Sequence, residues 1–140
     1  MAGIATIRLW PLLDTRNIDR SLAVYWPEPH LVFDPDTNEG PVLVTSTYTI
    51  TPENEQAFLH AMSWVRKSRL RTGAVEWGLY RDGETAHRFV EFFVVLSWEE
   101  HLRQHNERLT GADRQYEEQA DALSDPPPQT AHFIAADVLD

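Results

Sequence analysis

The segment Arg88–Leu96 (RFVEFFVVL) constrains this chain more than any other. It is apolar at both parities, with Phe89, Phe93 and Val95 on one side of a strand and Val90, Phe92, Val94 and Leu96 on the other. Successive side chains of a strand point to opposite faces, so both faces of this one must be covered. A layer of helices covers one. The other requires a second sheet, most simply that of another copy, or a separate stretch of chain laid across it.

The surrounding pattern supplies the helices. Val42–Ile50 (VLVTSTYTI) is β-branched and aromatic and reads as a first strand. Thr51-Pro52-Glu53 offers a cap, a proline for the first helical position and an acidic first turn. The helix that follows carries Phe58, Met62, Val65 and Arg69 along one side and closes at Gly73. A second strand spans Ala74–Arg81, Asp82-Gly83-Glu84-Thr85 turns the chain, and Arg88–Leu96 is the third strand. Ser97 and Glu100 have capping-box spacing and open a helix to about Leu109. Thr110-Gly111-Ala112-Asp113 breaks and re-caps a further helix to about Leu123, Asp125-Pro126-Pro127-Pro128 stops it, and His132–Ala136 makes a last strand. The order β-α-β-β-α-α-β is that of an α+β, ferredoxin-like split βαβ sheet with an extra helix.

Residues 1–41 read differently. Pro11, Pro27, Pro29, Pro35 and Pro41 punctuate them, and beyond a short strand at Ala5–Trp10 they show no periodicity. They are expected to form an extended arm, anchored by Trp10, Tyr25, Trp26 and Phe33, on a domain spanning 42–140. A net charge of −10 argues against a nucleic-acid partner, whose phosphates it would repel. No apolar run approaches the roughly 20 residues of a membrane span, and the interrupted Ala2–Ile7 run makes a poor secretory signal. Without cysteine there is no thiolate nucleophile, disulfide or cysteine-ligated metal.

Trp77-Gly78-Leu79-Tyr80-Arg81-Asp82, Arg88-Phe89-Val90-Glu91 and Ser97-Trp98-Glu99-Glu100-His101-Leu102-Arg103-Gln104-His105 together resemble one group of domains. These are the C-terminal soluble domains of bacterial major-facilitator permeases related to enterobactin exporters. They are similar to the dimeric α/β-barrel superfamily, which includes antibiotic-biosynthesis and haem-degrading monooxygenases. The resemblance runs from about Pro41 to Ala136. It implies a protomer that forms a homodimer through its sheet, following a transporter's last membrane helix on the cytoplasmic side. It also implies a sheet–helix cavity suited to flat aromatic molecules or haem. The cofactor-free oxygenases of that superfamily use a first-strand Asn, and Val42–Ile50 contains none.

Six residues stand out as ligand-pocket candidates: Trp77, Tyr80, Glu91, Trp98, His101 and His105. Glu91 is a carboxylate inside an otherwise apolar strand, so it is either paired with Arg81, Arg88 or a helix arginine, or raised in pKa at a pocket. Trp77, Tyr80, Trp98 and Trp64 could line that pocket or simply fill the core. His101 and His105 share a helix face, but Leu102 stands where a zinc-hydrolase motif has glutamate, and no metal or other cofactor is expected. Arg66-Lys67-Ser68-Arg69-Leu70-Arg71 is the one basic run; it either complements a helix C-terminus or contacts anionic lipid or a transporter's loops. No complete catalytic set can be assembled. The expected function is therefore a non-enzymatic dimerisation or small-ligand-sensing domain, with a cofactor-independent monooxygenase of flat aromatic substrates as the alternative.

Overall fold

The computed structural model describes residues 31–32 and 39–139. The arm's expected strand at Ala5–Trp10 and its four anchors lie outside these residues. Strand β1 (Val42–Thr49) occupies the interior of an antiparallel sheet, pairing with β3 (Arg88–Val95) on one side and β4 (Gln129–Ile134) on the other. Strand β2 (Glu76–Arg81) completes the order β2-β3-β1-β4 on the far side of β3. The β1–β2 and β3–β4 connections each cross over an intervening strand by way of helices, which is the ferredoxin-like split arrangement. Within one chain the sheet is open, with β2 and β4 as its edges.

Helix α1 (Glu55–Thr72) follows a 3-10 turn at Pro52–Asn54. Thr51 precedes that turn without a side-chain capping bond. The helix buries Phe58, Ala61, Met62, Val65, Ser68, Arg69 and Thr72 against the sheet, a spacing of three and four that keeps one stripe inward. Gly73, at φ 134°, ends it in a conformation that side-chain-bearing residues rarely adopt. Helix α2 (Trp98–Arg103) starts at Ser97, whose hydroxyl accepts from the Glu100 amide at 3.1 Å, and runs into a π-helical turn, Gln104–Arg108. Helix α3 (Gly111–Asp121) begins with a full capping box between Thr110 and Asp113.

Three boundaries depart from the sequence expectation. Ala74 belongs to the closure of α1, its amide donating to the Arg69 carbonyl, so β2 begins at Glu76. Helix α3 stops at Asp121 because Leu123 and Ser124 turn tighter, bonding back three residues to Ala120 and Asp121. The last strand covers Gln129–Ile134 instead of His132–Ala136: its register pairs Thr130 with Ser46, whose hydroxyls lie 3.0 Å apart, and a polar edge segment carries no hydropathy signal.

The helix-side face of the sheet holds two apolar clusters. One gathers Tyr48, Ile50, Phe58, Met62, Val65 and Phe89; the other gathers Val42, Val44, Phe93, Val95 and Trp98, and Trp77 packs on both. The opposite face presents Leu43, Val90, Phe92 and Val94 half-buried, with Tyr80, Phe133 and Leu96 exposed. Phe92 lies across Gly78 and stacks on Tyr80, ring centroids 5.8 Å apart. A β-carbon on Gly78 would stand 2.3 Å from the Phe92 ring, whereas one on Gly83 would meet nothing within 4 Å. Gly78→Ala should therefore cost about 1–2 kcal/mol by displacing the ring, and Gly83→Ala should be neutral or stabilising by a few tenths, ~0.4 kcal/mol, as read by urea denaturation.

Candidate functional site

Glu91 lies on the helix-side face of β3, in register with Ser46 on β1 and Leu79 on β2. It is 1% exposed. Strand alternation that buries Phe89 and Phe93 buries the residue between them, so the carboxylate enters the interior and needs partners there. Arg69, on the buried stripe of α1, donates from Nε to Glu91 Oε2 at 2.9 Å and from Nη2 to Oε1 at 3.3 Å. Trp77 Nε1 donates to Oε2 at 2.9 Å, and the Tyr48 hydroxyl donates to Oε1 at 3.4 Å. The helix arginine anticipated for Glu91 is thus Arg69, which also sits over the Phe93 ring, 4.7 Å from its centroid.

The third Arg69 nitrogen, Nη1, donates to Glu117 Oε2 on α3 at 2.6 Å. One guanidinium therefore answers two carboxylates directly, and Asp121, one turn beyond Glu117, faces the same charges. Burial works against charge on Arg69, but Glu91 and Glu117 outweigh it and hold the guanidinium firmly protonated. Glu117 is shifted upward, by burial first, with Arg69 opposing and Glu91 adding to the shift. Asp121 is pushed up to about 7, by burial and then by Glu117. Tyr48 is raised well above the ordinary phenol value by burial and by Glu91.

A second group of rings lies beside this ion pair. His101 stands edge-on to His105, centroids 4.8 Å apart with planes at 89°, and 5.2 Å from His132. Trp98 approaches His101 to 5.4 Å. The Thr72 hydroxyl donates to the Ser68 carbonyl at 2.8 Å and accepts from Gln104 Nε2 at 3.0 Å. That orientation turns Gln104 Oε1 toward His101 Nδ1, 3.2 Å away, and favours the tautomer protonated there. Burial, then His132, lowers His101 to about 4. Burial, then His101 and Arg69, lowers His105 to about 2. Both are neutral imidazoles at neutral pH. Among the described residues no group of three or more His, Asp or Glu is placed to hold a metal ion.

Of the six sequence candidates, Trp77 and Glu91 meet directly, Trp98, His101 and His105 form the adjoining ring group, and Tyr80 is elsewhere. Tyr80 is three residues from Trp77 on one strand, so alternation puts it on the open face, 63% exposed. Trp64 sits on the outer surface against Tyr116, ring centroids 5.4 Å apart. Tyr48, Glu117, Asp121, Gln104 and Thr72 were not foreseen. The spacing of Glu117 and Asp121, one turn apart beside buried Ala120, was their only signal.

This architecture is shared with proteins connected to monooxygenase chemistry. A proposed antibiotic biosynthesis monooxygenase from Bordetella bronchiseptica is 18% identical with a TM-score of 0.58, over 72% of this chain and 100% of that one. One from Caulobacter crescentus is 14% identical with a TM-score of 0.60, over 72% and 94%. A mutant of SnoaB, a cofactor-independent oxygenase from Streptomyces nogalater, is 18% identical with a TM-score of 0.51, over 70% and 95%. At these identities the likeness is one of fold. No curated protein matches the chain. The chain belongs to the major-facilitator family described as transmembrane secretion effector, which it matches over residues 1–138. Among the described residues no helix is long and apolar enough to cross a membrane.

Removing Arg69 strands Glu91 and Glu117 together, whereas removing Glu91 leaves Arg69 its pair with Glu117. Arg69→Met should therefore cost about 3–5 kcal/mol and Glu91→Leu less, and the double variant should cost less than the sum of the two in a denaturation cycle; additive losses would refute the coupling. The titrating groups act in opposite senses. A histidine lowered in the fold stabilises above its ordinary value of 6.5, and this is lost at about 1.4 kcal/mol per pH unit as pH falls toward the folded value, about 4 for His101. Asp121, raised from 3.8 to about 7, stabilises on the acid side, and this is lost as pH rises through 7. His101→Asn should therefore flatten the acid-side loss of stability, and Asp121→Asn should steepen it while raising stability above pH 7.

Proposed function

We propose that this domain is a non-enzymatic pairing module of a secretion transporter, joining a second copy through the open face of its sheet on the cytoplasmic side of the membrane. The observation that carries the reading is the apolar open face, where Tyr80, Leu96 and Phe133 are 63%, 64% and 52% exposed around half-buried Val90, Phe92 and Val94. Contiguous apolar surface of this kind on an isolated domain marks a place of association. A second sheet stacked on it would give β3 the cover that both of its faces demand.

The interior supports a structural role over catalysis. Both Glu91 oxygens accept from donors on Arg69, Trp77 and Tyr48, so the carboxylate is engaged within the fold. Burial holds His101 at about 4 and His105 at about 2, far below the range in which a general base works best, and Asp121, at about 7, lies by the Glu117 ion pair and not among these rings. A small flat ligand, if sensed, would have to part the rings of Trp98, His101, His105 and His132, which pack on one another in the interior. Likeness of fold to SnoaB supports the second reading, oxygenation of such a ligand without a cofactor.

Native mass spectrometry of the wild-type chain should give a dimer, and Tyr80→Lys with Phe133→Lys should give a folded monomer. A wild-type monomer would remove the pairing role. Oxygen consumption with a panel of dihydroxy-aromatic compounds should stay at background; uptake abolished by His101→Asn would establish the oxygenase reading instead.

A further inference from the structure

The described surface neutralises its own positive charge almost everywhere. Arg71 pairs with Asp113, Arg81 with Glu55, Arg88 with Asp82, Arg103 with Glu99, Arg108 with Glu100 and Arg114 with Glu118, while Arg69 is consumed inside. Arg66 and Lys67 are the exception among the described residues. Their contacts are with aromatic faces, Arg66 6.0 Å from the Trp77 ring centroid and Lys67 4.4 Å from that of Trp64. In a chain of net charge −10, the uncompensated cations therefore sit side by side on the outer face of α1.

Their neighbours on that face are apolar. Leu59, Trp64 and Leu70 are 38%, 39% and 47% exposed. At 100° per residue, Leu59, Ser63, Lys67 and Leu70 fall within an arc of about 80° opposite the buried stripe, with Arg66 beyond one side of it and Trp64, against Tyr116, beyond the other. Exposed leucine and tryptophan beside cations that have no carboxylate partner give this face apolar contact and positive charge together, the two terms by which a peripheral surface holds to an anionic bilayer. The face is the outer side of a helix, bordered by the edge strand β2 where Arg66 lies over Trp77. It also points away from the open sheet face, so pairing of two copies leaves it exposed.

We infer that the outer face of α1 is a docking surface for anionic lipid headgroups, with Arg66 and Lys67 answering the charge and Leu59, Trp64 and Leu70 entering the headgroup layer. The inference is independent of the pairing role. It fits a chain whose family is transmembrane, since a domain held beside a bilayer needs only weak contacts to settle on it.

The test is flotation of the full chain with phosphatidylcholine vesicles, with and without phosphatidylglycerol, at low ionic strength. Binding should require phosphatidylglycerol, fade with added salt and fall on the order of tenfold in Arg66→Glu/Lys67→Glu. Brominated lipid should quench tryptophan emission in the wild type and much less in Trp64→Phe. Unchanged melting temperature and native mass of the charge-reversal variant separate lost docking from lost fold or pairing. Absence of binding to anionic vesicles, or binding indifferent to the charge reversal, overturns the inference. Retention on polyglutamate with none on vesicles also overturns it, by assigning the patch to an acidic protein segment.

Discussion

The Arg69–Glu91 pair sets the terms for the rest of the interior. It lies midway along the sheet, between the apolar cluster around Phe58 and Phe89 and the one around Val42 and Phe93. Two charges so deeply buried gain little net stability, because loss of hydration offsets most of their attraction. Their consequence is geometric. Arg69 can reach Glu91 only if α1 lies on the sheet at one height and one rotation, and that placement brings Phe58, Met62 and Val65 onto Tyr48, Ile50 and Phe89. Trp77 Nε1, bonded to the same carboxylate while its ring packs on both clusters, fixes β2 to the same reference point.

Helix α3 is placed by what that pair leaves over. Arg69 has one nitrogen beyond its two contacts with Glu91, and Glu117 takes it, so α3 docks onto α1 through an interior ion pair as well as through Ala120 and Tyr116. The arrangement carries a surplus of negative charge, since Asp121 joins Glu91 and Glu117 around a single cation. Burial and the neighbouring Glu117 raise Asp121 to about 7, well above the ordinary carboxylate range. Asp121 is also the last residue of α3, where the helix dipole disfavours a negative charge. The opposite end of α3 is secured independently by the Thr110–Asp113 capping box, with Arg71 of α1 reaching the same aspartate.

The chain states much of this openly. The two parities of Arg88–Leu96, the Ser97 and Thr110 caps and the Gly73 stop placed the elements in order, and the mismatch of Glu91 with its apolar neighbours marked the interior charge. Arg69 was visible too, as the polar member of the stripe Phe58, Met62, Val65. What stayed hidden depends on contacts between distant segments. Thr72, Gln104 and His101 are joined by amide and hydroxyl orientations that no periodicity encodes. The strand Gln129–Ile134 is fixed by register against β1 and opens with the polar residues Gln129 and Thr130, directly after three prolines. Tyr80 was grouped with Trp77 because both are aromatic, although their odd spacing already assigned them to opposite faces.

Glu91 spends its acceptors on Arg69, Trp77 and Tyr48, and burial lowers His101 to about 4 and His105 to about 2. A fold shared with oxygenases is thereby filled, at its polar centre, with groups that answer one another. Among the described residues two outer faces stand apart: aromatic and aliphatic side chains on the open side of the sheet, and cations without carboxylate partners beside exposed leucines and a tryptophan on α1. The two faces differ in chemistry as well as in direction, the first almost uncharged and shaped as a sheet, the second basic and shaped as a helix crest. An uncharged sheet is complementary to another sheet, and a basic crest to an anionic plane. The proposed pairing and the inferred lipid contact use opposite sides of the domain, and neither draws on the ion pair in its interior.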